Sequence, residues 1–117
     1  MPSRLKPLFA AIDARDAEAF ASFLSPDVEF VFANAPALHG RDQVQTAIAG
    51  FFSSLAGLQH ELIEHWQIGD HLIMRGTVTY TRHDGSLLCV PFANTFRIRH
   101  GLIGEYRIFG DFSALAA

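Results

Sequence analysis

Apolar residues recur at helical spacing in the first half of the chain. Leu5, Leu8 and Ile12 lie three or four positions apart, which predicts a short amphipathic helix. Asp16 is suited to cap a second helix, because its carboxylate can accept hydrogen bonds from the free N–H groups of the next turn. A third helix carries the clearest apolar stripe, and Gly57 is placed to end it. The residues of that stripe are Val44, Ile48, Phe51, Phe52 and Leu55.

The pattern then changes to one typical of strands. The second helix is predicted to end at residues 25–27, because the residue before Pro26 is pushed out of the helical region. Val28–Ala33 is β-branched and aromatic and predicts a short strand, with a loop after it over 34–40. From Leu58 onward the apolar period is two, which predicts antiparallel strands. Their approximate spans are 58–69, 71–83, 86–100 and 102–112.

Helices followed by a meander of long strands indicate an α+β fold. The dipeptide Asp84-Gly85 supports a hairpin, since glycine supplies the positive φ that tight hairpin turns demand. Strands of twelve or more residues must coil, and some glycines are candidates for bends or bulges. These glycines are Gly76, Gly104 and Gly110. We therefore predict one α+β domain over residues 1–117, with three helices and a mainly antiparallel sheet.

Composition narrows the classes of partner. Half of the 117 residues are hydrophobic and eleven are Phe, a residue that fills cores and lines ligand cavities or dimer interfaces. The net charge is −3 and no basic stripe is present, which argues against nucleic acid. No apolar run matches a membrane span, and residues 1–4 lack the pattern of a signal peptide. Cys89 alone forms no internal disulfide and lies in an apolar stretch, so we expect an inert buried thiol and a cytoplasmic protein.

Four segments carry a resemblance to a known family. They are 16–20, 24–30, 39–42 and the run from Asn94 to Arg107 that continues to Asp111. Together they resemble the nuclear-transport-factor-2-like superfamily, and within it the SnoaL-like (polyketide cyclase-like) branch of small bacterial proteins. The resemblance implies a cone, in which a strongly curved sheet folds around the helices and leaves an apolar pocket. It also implies a homodimer that meets through the convex face of the sheet. Enzymes, binding proteins and assembly domains share this fold, so the resemblance alone does not select a function.

Two polar residues near the end of the chain are candidates for acid/base work. SnoaL-like cyclases are similar in holding an acidic residue near Asp111, and a carboxylate in an apolar pocket has the raised proton affinity that such work needs. Its alternative is a strand-end Asp that caps a loop or pairs with an Arg. Asn94 interrupts an otherwise apolar strand face and could orient a ligand carbonyl. An Asn hydrogen-bonded inside the core, or one that faces a partner subunit, is its alternative.

Two related enzyme types test these candidates. In the ketosteroid-isomerase relatives the general base would fall on Phe32 and the oxyanion tyrosine near Leu8, so that mechanism is rejected. Of the motifs that the limonene-epoxide-hydrolase type uses, this chain keeps two matching residues, Asn34 and Arg75, but lacks the tyrosine and one acid. In that reading Arg75 would tune Asp111. Arg75 is equally consistent with an outward position in a polar row.

The remaining candidates are aromatic or imidazole side chains. His60 could act as an acid or base if it faces the pocket, and otherwise it is a satisfied histidine at a strand edge. Trp66 and Tyr106 suit a dimer interface first and a pocket wall second. No paired histidine spacing predicts a metal site, and no Gly-rich phosphate motif implies a cofactor. The predicted pocket wall comprises Asn34, Phe30, Phe32, Phe52, His60, Trp66, Phe92 and Phe109.

These observations support two functions. The first is a pocket protein for a small, largely apolar or aromatic metabolite, either as a binder or as a cofactor-independent cyclase, isomerase or hydrolase. As an enzyme it would use Asp111 as acid/base, with Asn94 and Arg75 beside it. The second is a non-catalytic ligand-binding or dimerisation module.

Overall fold

A computed structural model describes residues 5–116. Three helices are present, α1 (Leu5–Asp13), α2 (Ala17–Ala21) and α3 (Arg41–Ser53). Six strands form the rest of the framework: β1 (Leu24–Phe32), β2 (Leu38–His39), β3 (Gly57–Ile68), β4 (His71–Thr81), β5 (Leu87–Arg99) and β6 (Leu102–Gly110). A short 3₁₀ helix over Ser113–Ala116 follows β6. The predicted α+β class is therefore confirmed.

The six strands form one curved sheet in the order β2-β1-β6-β5-β4-β3. Only the β1–β6 pair is parallel, and the other four pairs are antiparallel. The long strands β3 to β6 follow each other through tight turns, as the sequence predicts. The chain then returns β6 beside β1, so the first and last strands close the middle of the sheet.

The core lies between the helices and the concave face of the sheet. Alternate residues of β4, such as Leu72, Met74 and Val78, are buried while their neighbours are not. From the helical side, Leu8 and Phe20 lie almost wholly inside. Each such side chain contributes about 1.5–3 kcal/mol when it is fully removed from water. The two periods, 3.6 in the helices and 2 in the strands, thus present one apolar face each to a common core.

A β-bulge in β3 reverses the side-chain alternation halfway along the strand. Leu62 lies opposite Gly76 and Glu64 opposite Arg75, so Ile63 is the extra residue. One inserted residue moves every later side chain to the other face. Gly76 permits the bulge, because a Cβ atom there would overlap the backbone carbonyl oxygen of Glu61.

Several predicted boundaries need correction. β1 begins at Leu24, and Pro26 lies in a register shift of the β1–β6 pair, where its missing N–H is tolerated. The third helix ends at Ser53, so Gly57 begins β3 and does not end the helix. The short strand β2 lies in the segment predicted as loop. Cys89 is exposed on the outer face of β5, because the buried positions of that strand are the even-numbered ones.

Candidate functional site

A cavity of about 170 Å³ lies between the helices and the concave face of the sheet. Eight phenylalanines from α1, α2, α3, β1, β5 and the C-terminal segment line it. An apolar cavity of about 150 Å³ is large enough to bind benzene or xenon in another protein. The volume here is therefore sufficient for a compound built on one ring. The side chains on the cavity wall that carry polar atoms are His60, Tyr80, Asn94 and Tyr106.

Asn94 is the polar wall residue with a buried side-chain atom that lacks a hydrogen-bond partner among the described residues. Only 1% of the residue is exposed, and among residues 5–116 its Oδ1 atom has no hydrogen-bond partner. Strand alternation places Asn94 between Phe92 and Phe96 on the inner face of β5. A buried acceptor without a donor costs about 1–3 kcal/mol. A ligand that brings a hydroxyl or N–H group into the cavity would recover that loss.

His60 and Asp13 form a partly buried pair where α1 meets β3. The Nδ1 atom of His60 lies 2.6 Å from Oδ1 of Asp13, and the backbone N–H of His60 donates to Oδ2 of Asp13 at 3.0 Å. The two hydrogen bonds use both carboxylate oxygens and hold the imidazole ring in one orientation. The His60 side chain is only 10% exposed and lines the cavity.

The surroundings of His60 are mostly aromatic. The ring of Phe9 packs at 4.8 Å between centroids, and the ring of Phe92 lies edge-on at 5.3 Å. Burial is the dominant influence and lowers the pKa of His60 below its ordinary value of 6.5, while the hydrogen bond and charge of Asp13 oppose this shift. His60 is therefore a neutral imidazole at pH 7, with Nδ1–H donated to Asp13 and the lone pair on Nε2.

Two tyrosines complete the polar part of the wall. Tyr80 and Tyr106 are 3% and 1% exposed. Burial raises the pKa of both phenols well above the ordinary value. Both hydroxyl groups therefore stay protonated, and each can donate a hydrogen bond.

Six of the predicted site residues, five from the predicted pocket wall and the candidate catalytic residue Asn94, line the cavity. They are Phe30, Phe32, Phe52, His60, Phe92 and Asn94. The elements explain the agreement, because the phenylalanines of β1 and β5 sit on the inward positions of their strands or at the strand end nearest α3. Phe32 contacts Phe51 of α3 at 5.7 Å between ring centroids.

The structure places Asp111 outside the cavity. Its carboxylate accepts hydrogen bonds from the Ser113 hydroxyl at 2.7 Å and the Ser113 backbone N–H at 3.1 Å, and the residue is exposed. These hydrogen bonds lower the pKa of Asp111, the opposite of the raised proton affinity expected from an apolar pocket. The prediction of Asp111 within the pocket beside Asn94 is wrong, because β6 ends at Gly110 and Asp111 closes a local turn.

Four further predicted site residues also lie away from the cavity. Arg75 faces outward and donates from Nε to Oε1 of Glu64 at 2.7 Å. Asn34 is exposed in the loop after β1. Phe109 is 53% exposed, because the inward positions of β6 are taken by Tyr106 and Ile108.

Trp66 is the fourth, and the bulge in β3 explains its position. The residue is 45% exposed and lies opposite Ile73, on the outer face of the sheet. Uninterrupted alternation from Leu58 would have put Trp66 on the inner face. Arg75 pairs with Glu64 and Asp111 accepts hydrogen bonds from Ser113, so the pairing of Arg75 with Asp111 that the sequence suggested is wrong.

Asp13 is the site residue that the sequence analysis missed. It follows Phe9 by four positions in α1, so the two side chains lie on the same helix face. The sequence did contain a sign of this site, because Asp13 places a carboxylate on the apolar stripe of an amphipathic helix. Its partner His60 is 47 residues away in the sequence, so the pair itself could not be inferred from local pattern.

Within residues 5–116, no group of three or more His, Cys, Asp or Glu side chains is arranged to hold a metal ion. In the same part of the chain, no helix has the length and apolar character needed to span a membrane.

Comparison with known proteins identifies the family. The model of the SnoaL-like domain matches residues 5–106, so the chain belongs to the SnoaL-like domain family. Its fold is that of the nuclear-transport-factor-2-like superfamily, as the resemblance implied. No curated protein sequence matches the chain.

Solved structures show the same fold. The crystal structure of TerC co-crystallised with polyporic acid is 22% identical, with a TM-score of 0.84 over 96% of this chain and 92% of that one. A putative SnoaL-like polyketide cyclase from Jannaschia sp. CCS1 is 20% identical, with a TM-score of 0.82 over 96% and 85%. A hypothetical protein with a ketosteroid isomerase-like fold from Catenulispora acidiphila DSM 44928, in complex with trimethylamine, is 18% identical, with a TM-score of 0.85 over 93% and 85%. At these identities the comparison establishes the fold and leaves the ligand open.

Proposed function

We propose that the protein binds a small, largely apolar compound of about one ring in the cavity between its helices and sheet. The single observation that carries this proposal is that Asn94, a residue of the wall of a cavity of about 170 Å³, has a buried Oδ1 atom without a hydrogen-bond partner among the described residues. The phenylalanines supply apolar contact, and Asn94 selects a compound with a hydroxyl or N–H donor. Related structures that hold polyporic acid or trimethylamine support a small-molecule occupant.

Binding of p-cresol tests the proposal, since this compound combines one ring, a methyl group and a hydroxyl donor. We expect saturable binding by isothermal titration calorimetry. Val78→Phe extends an inward residue of β4 into the cavity and should weaken binding at least tenfold. Thr79→Phe adds the same ring on the outward side of the same strand and is the matched control. Absence of binding by the wild type, or equal affinity in the Val78→Phe variant, would contradict the proposal.

A second proposal concerns the outer face of the sheet, where we infer a homodimer contact through the convex surface. Large apolar side chains stand exposed there, with Trp66 at 45%, Ile68 at 67% and Phe109 at 53%. Soluble proteins seldom expose several such side chains on one face without a partner. The dimer is compatible with ligand binding, because the cavity lies on the opposite, concave side of the sheet. In the non-catalytic alternative, the protein would bind a ligand in the cavity and dimerise through this contact, without catalysing a reaction.

We also propose a cytoplasmic location, with which an exposed free Cys89 is consistent.

Sedimentation velocity tests the dimer. We expect a dimer for the wild type and a monomer for Trp66→Glu, because a buried interfacial charge without a partner is strongly unfavourable. Ala49→Glu places the same charge on an exposed position of α3 and should leave the dimer intact. A wild type that stays monomeric at high micromolar concentration would exclude this interface.

A further inference from the structure

We propose that His60 is a general base of the cavity, positioned by Asp13, and that it removes a proton from an activated C–H or O–H bond of a small apolar substrate. The inference rests on the proposed function, because the substrate must first occupy the cavity. It assigns the acid/base chemistry to His60 and Asp13, whereas the sequence indicated Asp111. Asp111, the acid expected there, is exposed and hydrogen-bonded to Ser113.

The hydrogen bonds of Asp13 decide which nitrogen of His60 is the reactive one. Nδ1 lies 2.6 Å from the Asp13 carboxylate and donates its proton there. The two nitrogens of an imidazole point in widely different directions, so Nε2 is directed away from Asp13. Nε2 has no hydrogen-bond partner within the described residues 5–116, and the ring lies on the cavity wall between Phe9 and Phe92. A lone pair held in this way is available to a proton of a bound molecule.

The groups around His60 favour the neutral base. Its cross-strand neighbour on β4 is Val78, the facing residues of α1 and β5 are Phe9 and Phe92, and Asp13 is the charged group in contact with it. When Nε2 accepts a proton, the Asp13 carboxylate stabilises the resulting imidazolium at short range. Asp13 therefore acts through His60 as a positioning residue, without touching the substrate.

The step is a balanced proton transfer. The C–H or O–H bond of the substrate breaks, its electron pair stays on the substrate, and Nε2 of His60 gains the proton. The proton then returns to another atom of the same molecule or to water. No oxidant, reductant or cofactor is consumed. Asn94, on the same wall, can bind a polar group of the substrate and fix its orientation.

The elimination of 5-nitrobenzisoxazole provides a direct assay of such a base. Loss of the C3 proton to Nε2 forms the nitrile, the N–O bond breaks, and the oxygen leaves as a coloured phenolate. We expect the wild-type protein to catalyse this reaction and p-cresol to inhibit it competitively. His60→Gln should lower kcat at least 100-fold, within the range of general base catalysis. His65→Gln removes an exposed histidine of the same strand and should keep the wild-type rate.

The pH profile separates catalysis from a merely structural role of the pair. The rate of the wild type should rise as His60 loses its proton, with an inflection that coincides with the His60 pKa measured by NMR. In Asp13→Asn the carboxylate that raises this pKa is gone, so the inflection should move to lower pH and the plateau kcat should fall more than KM changes. This comparison uses the wild type and remains valid even where His60→Gln does not fold.

The outcomes distinguish the two proposals. Binding of p-cresol together with a rate no higher than that of free imidazole would overturn the general base and leave the binding function standing. The general base would also be overturned if folded His60→Gln kept the wild-type rate, or if the pH of the inflection were the same in Asp13→Asn as in the wild type. Absence of p-cresol binding would refute the binding function and, with it, the base.

Discussion

Replacing Asn94 by leucine should stabilise the protein while it impairs binding. The two side chains are similar in size, and the amide is 1% exposed with Oδ1 unpartnered among the described residues. Removing an unsatisfied buried acceptor recovers about 1–3 kcal/mol. We therefore expect the free energy of unfolding of Asn94→Leu to rise by about 1–3 kcal/mol, or about 4 °C in Tm for each kcal/mol.

Thermal and urea unfolding without ligand, followed by circular dichroism, measure this change. Asn34→Leu is the matched control, because Asn34 is exposed and a surface substitution changes stability by only about 0.5 kcal/mol or less. A ligand pair then tests the polar contact. p-Cresol should bind Asn94→Leu about 2- to 10-fold more weakly, which corresponds to one hydrogen bond of about 0.5–1.5 kcal/mol. Toluene has no hydroxyl group, so its affinity should be no lower for Asn94→Leu than for the wild type.

A less stable Asn94→Leu variant would refute this reasoning. That result would mean that the amide makes favourable interactions in the folded protein that leucine cannot replace. Equal losses of affinity for toluene and p-cresol would show in turn that the effect on binding is steric and does not arise from the hydrogen bond.

Two other predictions concern the bulge and the buried histidine. Gly76→Ala should destabilise the protein by about 3 kcal/mol or more in urea unfolding, because its Cβ would overlap the Glu61 backbone. Gly50→Ala, in open space on α3, should instead stabilise it by about 1 kcal/mol, and equal effects of the two changes would contradict this. The pKa of His60 is lowered in the folded protein, so the unfolded chain binds its proton more readily. The stability of the wild type relative to His60→Gln should therefore fall as pH drops through 6.5 towards the folded pKa, and a rise over that window would contradict the shift.

Local pattern was sufficient for most of the secondary structure. Asp16 caps α2 as predicted, with its carboxylate accepting from the backbone N–H of Ala19 at 3.0 Å. The hairpin at Gly85 has the positive φ that its sequence requires. Within β5, alternation correctly predicted that Phe92, Asn94 and Phe96 face inward. Each of these features depends on residues only a few positions apart, and such interactions are encoded in the sequence itself.

The errors at the site arise where alternation is interrupted or a strand ends. Continuous alternation placed Trp66 on the inner face, but the bulge at Ile63 turned it outward. Asp111 lies beyond the last residue of β6. Its position is set by a local turn that it forms with Ser113, because the strand pairing has ended. Gly76 was a candidate for a bulge in the sequence, but the pattern of apolar and polar residues shows neither which residue of β3 is inserted nor where β6 ends.

The sequence by itself determined the fold class, the family, and the apolar character of the cavity wall. These depend on periodicity and on the number of phenylalanines, which survive small errors in register. Only the tertiary structure decided which polar groups meet. Asp13 and His60 belong to different elements, 47 residues apart, and come together because α1 packs on the end of β3. The chemistry of the cavity depends on contacts such as this one, since a single-residue shift in a strand turns a side chain from the cavity to solvent.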